Sequence, residues 1–199
     1  MSTKASHRKK TKNFGPLAAF YAAANGEVDN LREIIKAGFY VKSVDAQGCT
    51  ALHIAAHSRY VDQNEDRGQA ACAQLLIDMG ALIEAVDSIN NTPLIVAAAT
   101  GRLSVLDVLI RNNAELNTKG KFGFTALHAA ARYDFIKSVQ RLLDAGSDAS
   151  ILNDEKELAE GIAKTEEIRS LIREYRLSNA IDDLRDSIPD FPPMPRHTP

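Results

Sequence analysis

His53 and His57, four positions apart, are the two residues whose spacing is best suited to chemistry. On a helix, residues i and i+4 share a face, so the two imidazoles would point the same way as a pair of metal ligands. A hydrolytic zinc helix also carries a glutamate directly after the first histidine, to serve as general base. Ile54 stands there instead, and no third ligand lies in register. A metal-dependent enzyme using His53 and His57 is therefore the minor reading, and a structural role for His53 the major one.

The thiols offer no more. Cys49 and Cys72 are the two cysteines of a 199-residue chain, which is no disulfide framework and indicates a reducing compartment. Neither has a second cysteine or a histidine at zinc-finger spacing. A nucleophilic thiol needs a base and a group to orient it. Nothing supplies these to Cys49, and Cys72 falls on an apolar helical position. Glycine-rich dinucleotide loops, phosphate loops and serine elbows are all missing. The expectation is a chain with no catalytic residue, no metal, no cofactor and no small-molecule substrate.

The elements carrying these residues repeat. Thr50-Ala51-Leu52-His53 recurs as Thr92-Pro93-Leu94-Ile95 and as Thr125-Ala126-Leu127-His128, at spacings of 42 and 33 residues. Each copy continues into paired alanines, Ala55-Ala56, Ala97-Ala98 and Ala130-Ala131. From the second alanine, the same step reaches Asn113 and Gly146 but stops nine residues short of Gly80. One copy thus carries a nine-residue insertion within Arg59–Gly68, and the underlying period is 33. Degenerate copies flank the array, one through Leu17, Ala22-Ala23-Ala24 and Gly38, the other through Leu158, Ile162-Ala163, Ile168 and Ile172. End copies of a stack face water on one side and are expected to depart from the pattern.

Each copy reads as helix, turn, helix. The threonines stand where a hydroxyl would cap the first helix, and Pro93 occupies the favoured first helical position. Val105, Leu106, Leu109 and Ile110 have the spacing of an amphipathic second helix. Gly38, Gly80 and Gly146 would stop the second helices in a left-handed conformation, with Asn113 as substitute. Polar stretches such as Asp45-Ala46-Gln47-Gly48 suit tight turns between copies.

The period of 33, the Thr-Pro-Leu-His-like start, the alanine pair and the glycine ending together resemble the ankyrin repeat, over Phe14 to Tyr175. Ile95 in place of the motif histidine, Gly120 in place of the turn aspartate, and the insertion depart from it. The resemblance implies an all-α solenoid of helix-turn-helix repeats with short turn or β-hairpin connections. It would have three full repeats between degenerate capping repeats, with copies at about 14–45, 46–87, 88–120, 121–153 and 154–176. A basic tail (1–13) precedes the array, and a short helix with a proline-rich tail (177–199) follows it. The resemblance also implies a non-catalytic binding module that uses a concave face to engage another protein, as adaptor or inhibitor. An immunity-type protein blocking a bacterial enzyme is a variant of that reading.

In register, the concave face is built from residues flanking the turns and from those just after the alanine pairs. The first copy offers Gln47, His57 and Ser58, and the second Ser88, Ile89 and Thr100. The third offers Lys121, Phe122, Phe124, Arg132 and Tyr133. Tyr60, in the insertion, borders the same face. The third set combines aromatics with Arg, the side chains that dominate interface hot spots, and is the expected centre of the site.

Composition bounds the rest. With 45% hydrophobic and 25% charged residues and a net charge of −2, the chain is an ordinary globular one. No overall field calls for nucleic acid, and no apolar run approaches the roughly 20 residues of a membrane helix. Lys4, Arg8, Lys9, Lys10 and Lys12 followed by apolar Leu17–Ala24 has the outline of a secretory signal, but the repeat register runs through that stretch and makes it a helix of the stack. The expectation is a cytoplasmic monomer, with the basic arm as a possible nuclear address.

Overall fold

The computed structural model describes residues 15–57 and 67–187. The basic N-terminal segment, Ser58, Tyr60, most of the insertion and the proline-rich end lie outside the described residues. Among the described residues nine α-helices follow in chain order: α1 Pro16–Asn25, α2 Val28–Lys36, α3 Ala51–His57, α4 Arg67–Asp78, α5 Pro93–Thr100, α6 Leu103–Arg111, α7 Ala126–Arg132, α8 Ile136–Asp144 and α9 Glu166–Ser187. No strand occurs among the described residues. Two isolated antiparallel bridges, Val44 to Thr50 and Leu152 to Leu158, pin the turns of the first and last connections. The architecture is the all-α repeat solenoid that the period implies.

The helices form where local chemistry places them. The Thr92 hydroxyl accepts the Ile95 amide at 3.4 Å, and Pro93 takes the first turn of α5. Thr125 and His128 cap α7 reciprocally. Second helices α2, α6 and α8 bury Leu31 and Ile34, Val105, Leu106 and Leu109, and Val139, Leu142 and Leu143. Asn113 adopts φ 60°, the left-handed conformation of the glycines at the equivalent stops, which asparagine tolerates better than other side chains. The first helices α1, α3, α5 and α7 pack on one another in series, and the second helices likewise. Alanine pairs, all buried, permit that approach. One contact is closer still: a Cβ on Gly26 would stand 2.7 Å from the Gly68 backbone. Gly68 thus opens α4 against the α1–α2 turn and belongs to the packed stack.

The last copy differs from the sequence expectation. Its first helix, anticipated around Ile162-Ala163, is replaced by successive turns through residues 158–165. Gly161 lies in the middle of that stretch, where glycine costs a helix about 1 kcal/mol relative to alanine. The stretch still buries Ala159 and Ala163, and side chains of α9 satisfy its carbonyls. Arg169 donates to Glu160 O and Ala163 O at 3.3 Å each, and Arg176 pairs with the Glu160 carboxylate at 2.9 Å. The second correction concerns the end: the separate short helix expected after residue 176 is part of α9, which runs unbroken from Glu166 to Ser187. No glycine or proline interrupts that span to stop it.

Candidate partner-binding cleft

The connection before α7 is unlike the others. In the first two turns an aspartate side chain organises the backbone. Asp45 Oδ1 accepts the amides of Gln47 and Cys49, and Asp87 Oδ1 those of Ile89 and Asn91. The third turn begins with Gly120, which has no carboxylate, and the preceding turn substitutes for it: Asn91 Oδ1 accepts the Lys121 amide at 3.1 Å. The chain then makes a single 3-10 turn in which both Phe122 (φ 59°) and Gly123 (φ 69°) are left-handed. A bulky residue with positive φ is strained. The conformation lifts the Phe122 ring into solvent, 60% exposed.

The two motif departures, Ile95 and Gly120, meet at this point. A Cβ on Gly120 would come within 2.9 Å of Ile95 Cδ1 and 2.5 Å of Asn91 Oδ1. Where the other copies place a histidine, Ile95 fills the space that the missing side chain leaves.

Around this turn opens a cleft of about 390 Å³, lined by Ile89, Asn91, Ile95 and Ala99 on one side and by Lys121, Phe122, Phe124, Ala129, Arg132, Tyr133 and Glu155 on the other. The rings of Phe122 and Phe124 meet edge to face at 6.3 Å. Phe124 is half-buried and stacks on His128, with centroids 5.6 Å apart. Lys121 Nζ lies 4.8 Å from the centre of the Phe122 ring, and the Arg132 guanidinium 5.7 Å from that of Phe124. Tyr133, 54% exposed, stands at the end of α7. The alanines at 99 and 129 keep the floor open.

Of the residues expected on the concave face, Ile89, Lys121, Phe122, Phe124, Arg132 and Tyr133 therefore share one cleft. Gln47, His57 and Ser88 are exposed but lie outside its lining. Thr100 is half-buried, and its hydroxyl donates to Ala56 O at 2.7 Å and Val96 O at 2.8 Å, so it ties α5 to α3. Ser58 and Tyr60 fall outside the described residues. Asn91, Ile95, Ala99, Ala129 and Glu155 were not anticipated in the site. Glu155 was within reach of the register, since it stands one period of 33 after Phe122.

The reactive side chains are committed elsewhere. His53 is fully buried; its Nδ1 meets the Thr50 hydroxyl at 2.9 Å and its Nε2 the Asn91 carbonyl at 3.0 Å. His128 repeats the arrangement with Thr125 at 2.9 Å and Glu157 O at 3.3 Å. Burial lowers the pKa of both below the ordinary histidine value, only partly opposed by those carbonyl bonds. With both ring nitrogens so engaged, His53 has no lone pair to offer a metal. Burial, reinforced by Asp45 and Asp87, raises the Cys49 thiol to about 11; burial, with Glu27, raises Cys72 to about 12. Neither forms a thiolate near neutrality. Among the described residues, no helix is long and apolar enough to cross a membrane.

Stacked helix pairs, capping threonines and histidines that bridge to the next turn match a known pattern. A family model described as ankyrin repeats, in three copies, fits residues 63–153. Residues 63–153 are ankyrin repeats. The chain is similar to curated proteins over part of its length. It is 27% identical over 128 residues to the putative ankyrin repeat protein YahD of Escherichia coli, covering 64% of this chain and 59% of that one. It is also 27% identical over 128 residues to the B-cell lymphoma 3 protein homolog of Mus musculus, covering 64% of this chain and 27% of that one. Over 113 residues it is 32% identical to the glycerophosphocholine phosphodiesterase gde1 of Schizosaccharomyces pombe, covering 56% of this chain and only 9% of that protein. In each case the match spans less than two thirds of the relative's length.

Proposed function

We propose that this protein is a non-catalytic binding module that engages a partner protein through the cleft between α5, α7 and the turn at residues 120–124, and acts by occupying or tethering that partner. The observation carrying this reading is the joining of Phe122, Phe124, Arg132 and Tyr133 in one open cleft. Exposed aromatic rings cost solubility, and clustered around a cavity they mark an interaction site. The strained backbone of Phe122 favours the same reading, because asparagine or glycine would occupy that position at lower cost. The similarity to the phosphodiesterase covers too small a part of that protein to carry its activity here, and the thiols and histidines described above are poorly placed for catalysis.

Site-specific photocrosslinking tests the proposal. A photoreactive phenylalanine analogue at position 133 should give a discrete protein adduct in the native cell, and the same analogue at Gln140, exposed on α8, should not. Equal adducts from both positions, or none from position 133, would move the site off the cleft.

A further inference from the structure

The charges around the cleft select among partners. Lys121 and Arg132 each lie over an aromatic ring at its rim, and neither forms an ion pair among the described residues. One acid, Glu155, joins them in the lining from the next turn and is likewise without an ion pair among the described residues. The floor, by contrast, is apolar and shallow: Ile95, Ala99 and Ala129 support a space of about 390 Å³. That is room for one large side chain and a short length of the backbone carrying it. Both cations are exposed at the rim, each near a ring face, so a carboxylate arriving there meets a positive charge already placed beside the cleft.

We infer that the cleft takes a short linear segment of the partner with one aromatic side chain, seated on the alanine floor, flanked by carboxylates that pair with Lys121 and Arg132. This rests on the cleft being the partner site. The anchor supplies most of the affinity by burial, and the carboxylates supply orientation and selectivity against basic or neutral segments. Glu155, in the same wall, repels arriving carboxylates and restricts where along that wall they can pair.

The test uses the full chain and an array of nine-residue peptides, each centred on phenylalanine and flanked by aspartates, serines or lysines. The acidic series should be retained selectively, and its affinity measured by fluorescence polarisation should fall with added salt. Lys121→Ala with Arg132→Ala should weaken the acidic peptide at least about fivefold more than it weakens the serine-flanked one. Glu155→Gln should tighten the acidic peptide. Ala99→Leu, which fills the floor and removes no charge, should weaken both series. Preference for neutral or basic flanks, an acidic preference that survives loss of both cations, or retention of no series overturns the inference. A crosslink from position 133 with no acidic preference would leave the partner site standing and remove only the segment chemistry. A peptide of this chain's own residues 188–199, which contains Asp190 and Phe191, serves as a further probe. If that peptide bound more tightly than every array peptide and competed with the crosslinked partner, the occupant would be the chain's own tail, and the inference of a partner segment would fall.

Discussion

The ring of Phe124 lies on the imidazole of His128, with centroids 5.6 Å apart and planes inclined by 25°. His128 is fixed from both sides, by Thr125 at the head of α7 and by the Glu157 carbonyl of the next turn. The residue that joins two repeats therefore also sets one wall of the cleft. Stacking of this kind is worth about 0.5–1.5 kcal/mol, and the imidazole it uses is neutral because burial disfavours its charge.

That neutrality predicts acid sensitivity. The folded-state pKa values of His53 and His128 lie below the unfolded value near 6.5. The stability they contribute is complete above that value and is lost as pH falls below it, at up to about 1.4 kcal/mol per pH unit for each histidine. The urea midpoint should drop between pH 7.5 and pH 5, and the drop should shrink in a His53→Gln, His128→Gln variant. A drop of equal size in that variant would assign the acid sensitivity to carboxylates.

Leu109 is fully buried in α6, in the middle of the stack. Leu109→Ala should cost about 2–5 kcal/mol, the range for a leucine cavity. Leu177 on α9, 48% exposed, should cost under about 0.5 kcal/mol when replaced by alanine. Equal shifts in urea midpoint would contradict this packing.

His53→Ala removes the hydrogen bond to the Asn91 carbonyl and leaves that acceptor in a tight interface. The expected loss is about 1–3 kcal/mol. Metal analysis of the purified wild type should give no zinc in proportion to protein. Stoichiometric zinc, lost in a His53→Ala, His57→Ala variant, would restore the metal reading.

Phe122 predicts an exchange of function for stability. Phe122→Asn relieves a left-handed phenylalanine and gives up little buried surface, so the urea midpoint should hold or rise by up to about 1 kcal/mol equivalent. Partner affinity should fall in the same protein. A destabilised variant would mean that Phe122 serves the fold.

Much of the architecture was legible because each repeat reuses the same physical devices. Thr92, Pro93 and Asn113 announce a cap, a first turn and a left-handed stop by residue type alone. The last copy was misread because Leu158, Ile162 and Ala163 keep their apolar positions when the helix between them is lost; burial there is maintained by turns and by Arg169. The unbroken α9 was misread for a related reason, since the apolar spacing shifts after Tyr175 while nothing breaks the backbone. In the cleft, Phe122, Phe124, Arg132 and Tyr133 stood out as costly side chains at exposed register positions. Ala99 and Ala129 did not, because a residue that leaves space resembles any other alanine of a packed helix. The bond that ties the Thr100 hydroxyl to α3 was not legible, because its acceptor, the Ala56 carbonyl, belongs to another repeat.

The cleft as partner site is tested most directly by calorimetry of the crosslinked partner, once identified, against wild type and a Phe124→Ala, Tyr133→Ala variant. The prediction is a loss of at least about 2 kcal/mol in binding free energy, with the helical circular dichroism spectrum of the variant unchanged. An unchanged affinity in that folded variant would contradict the assignment and place the binding surface elsewhere on the stack.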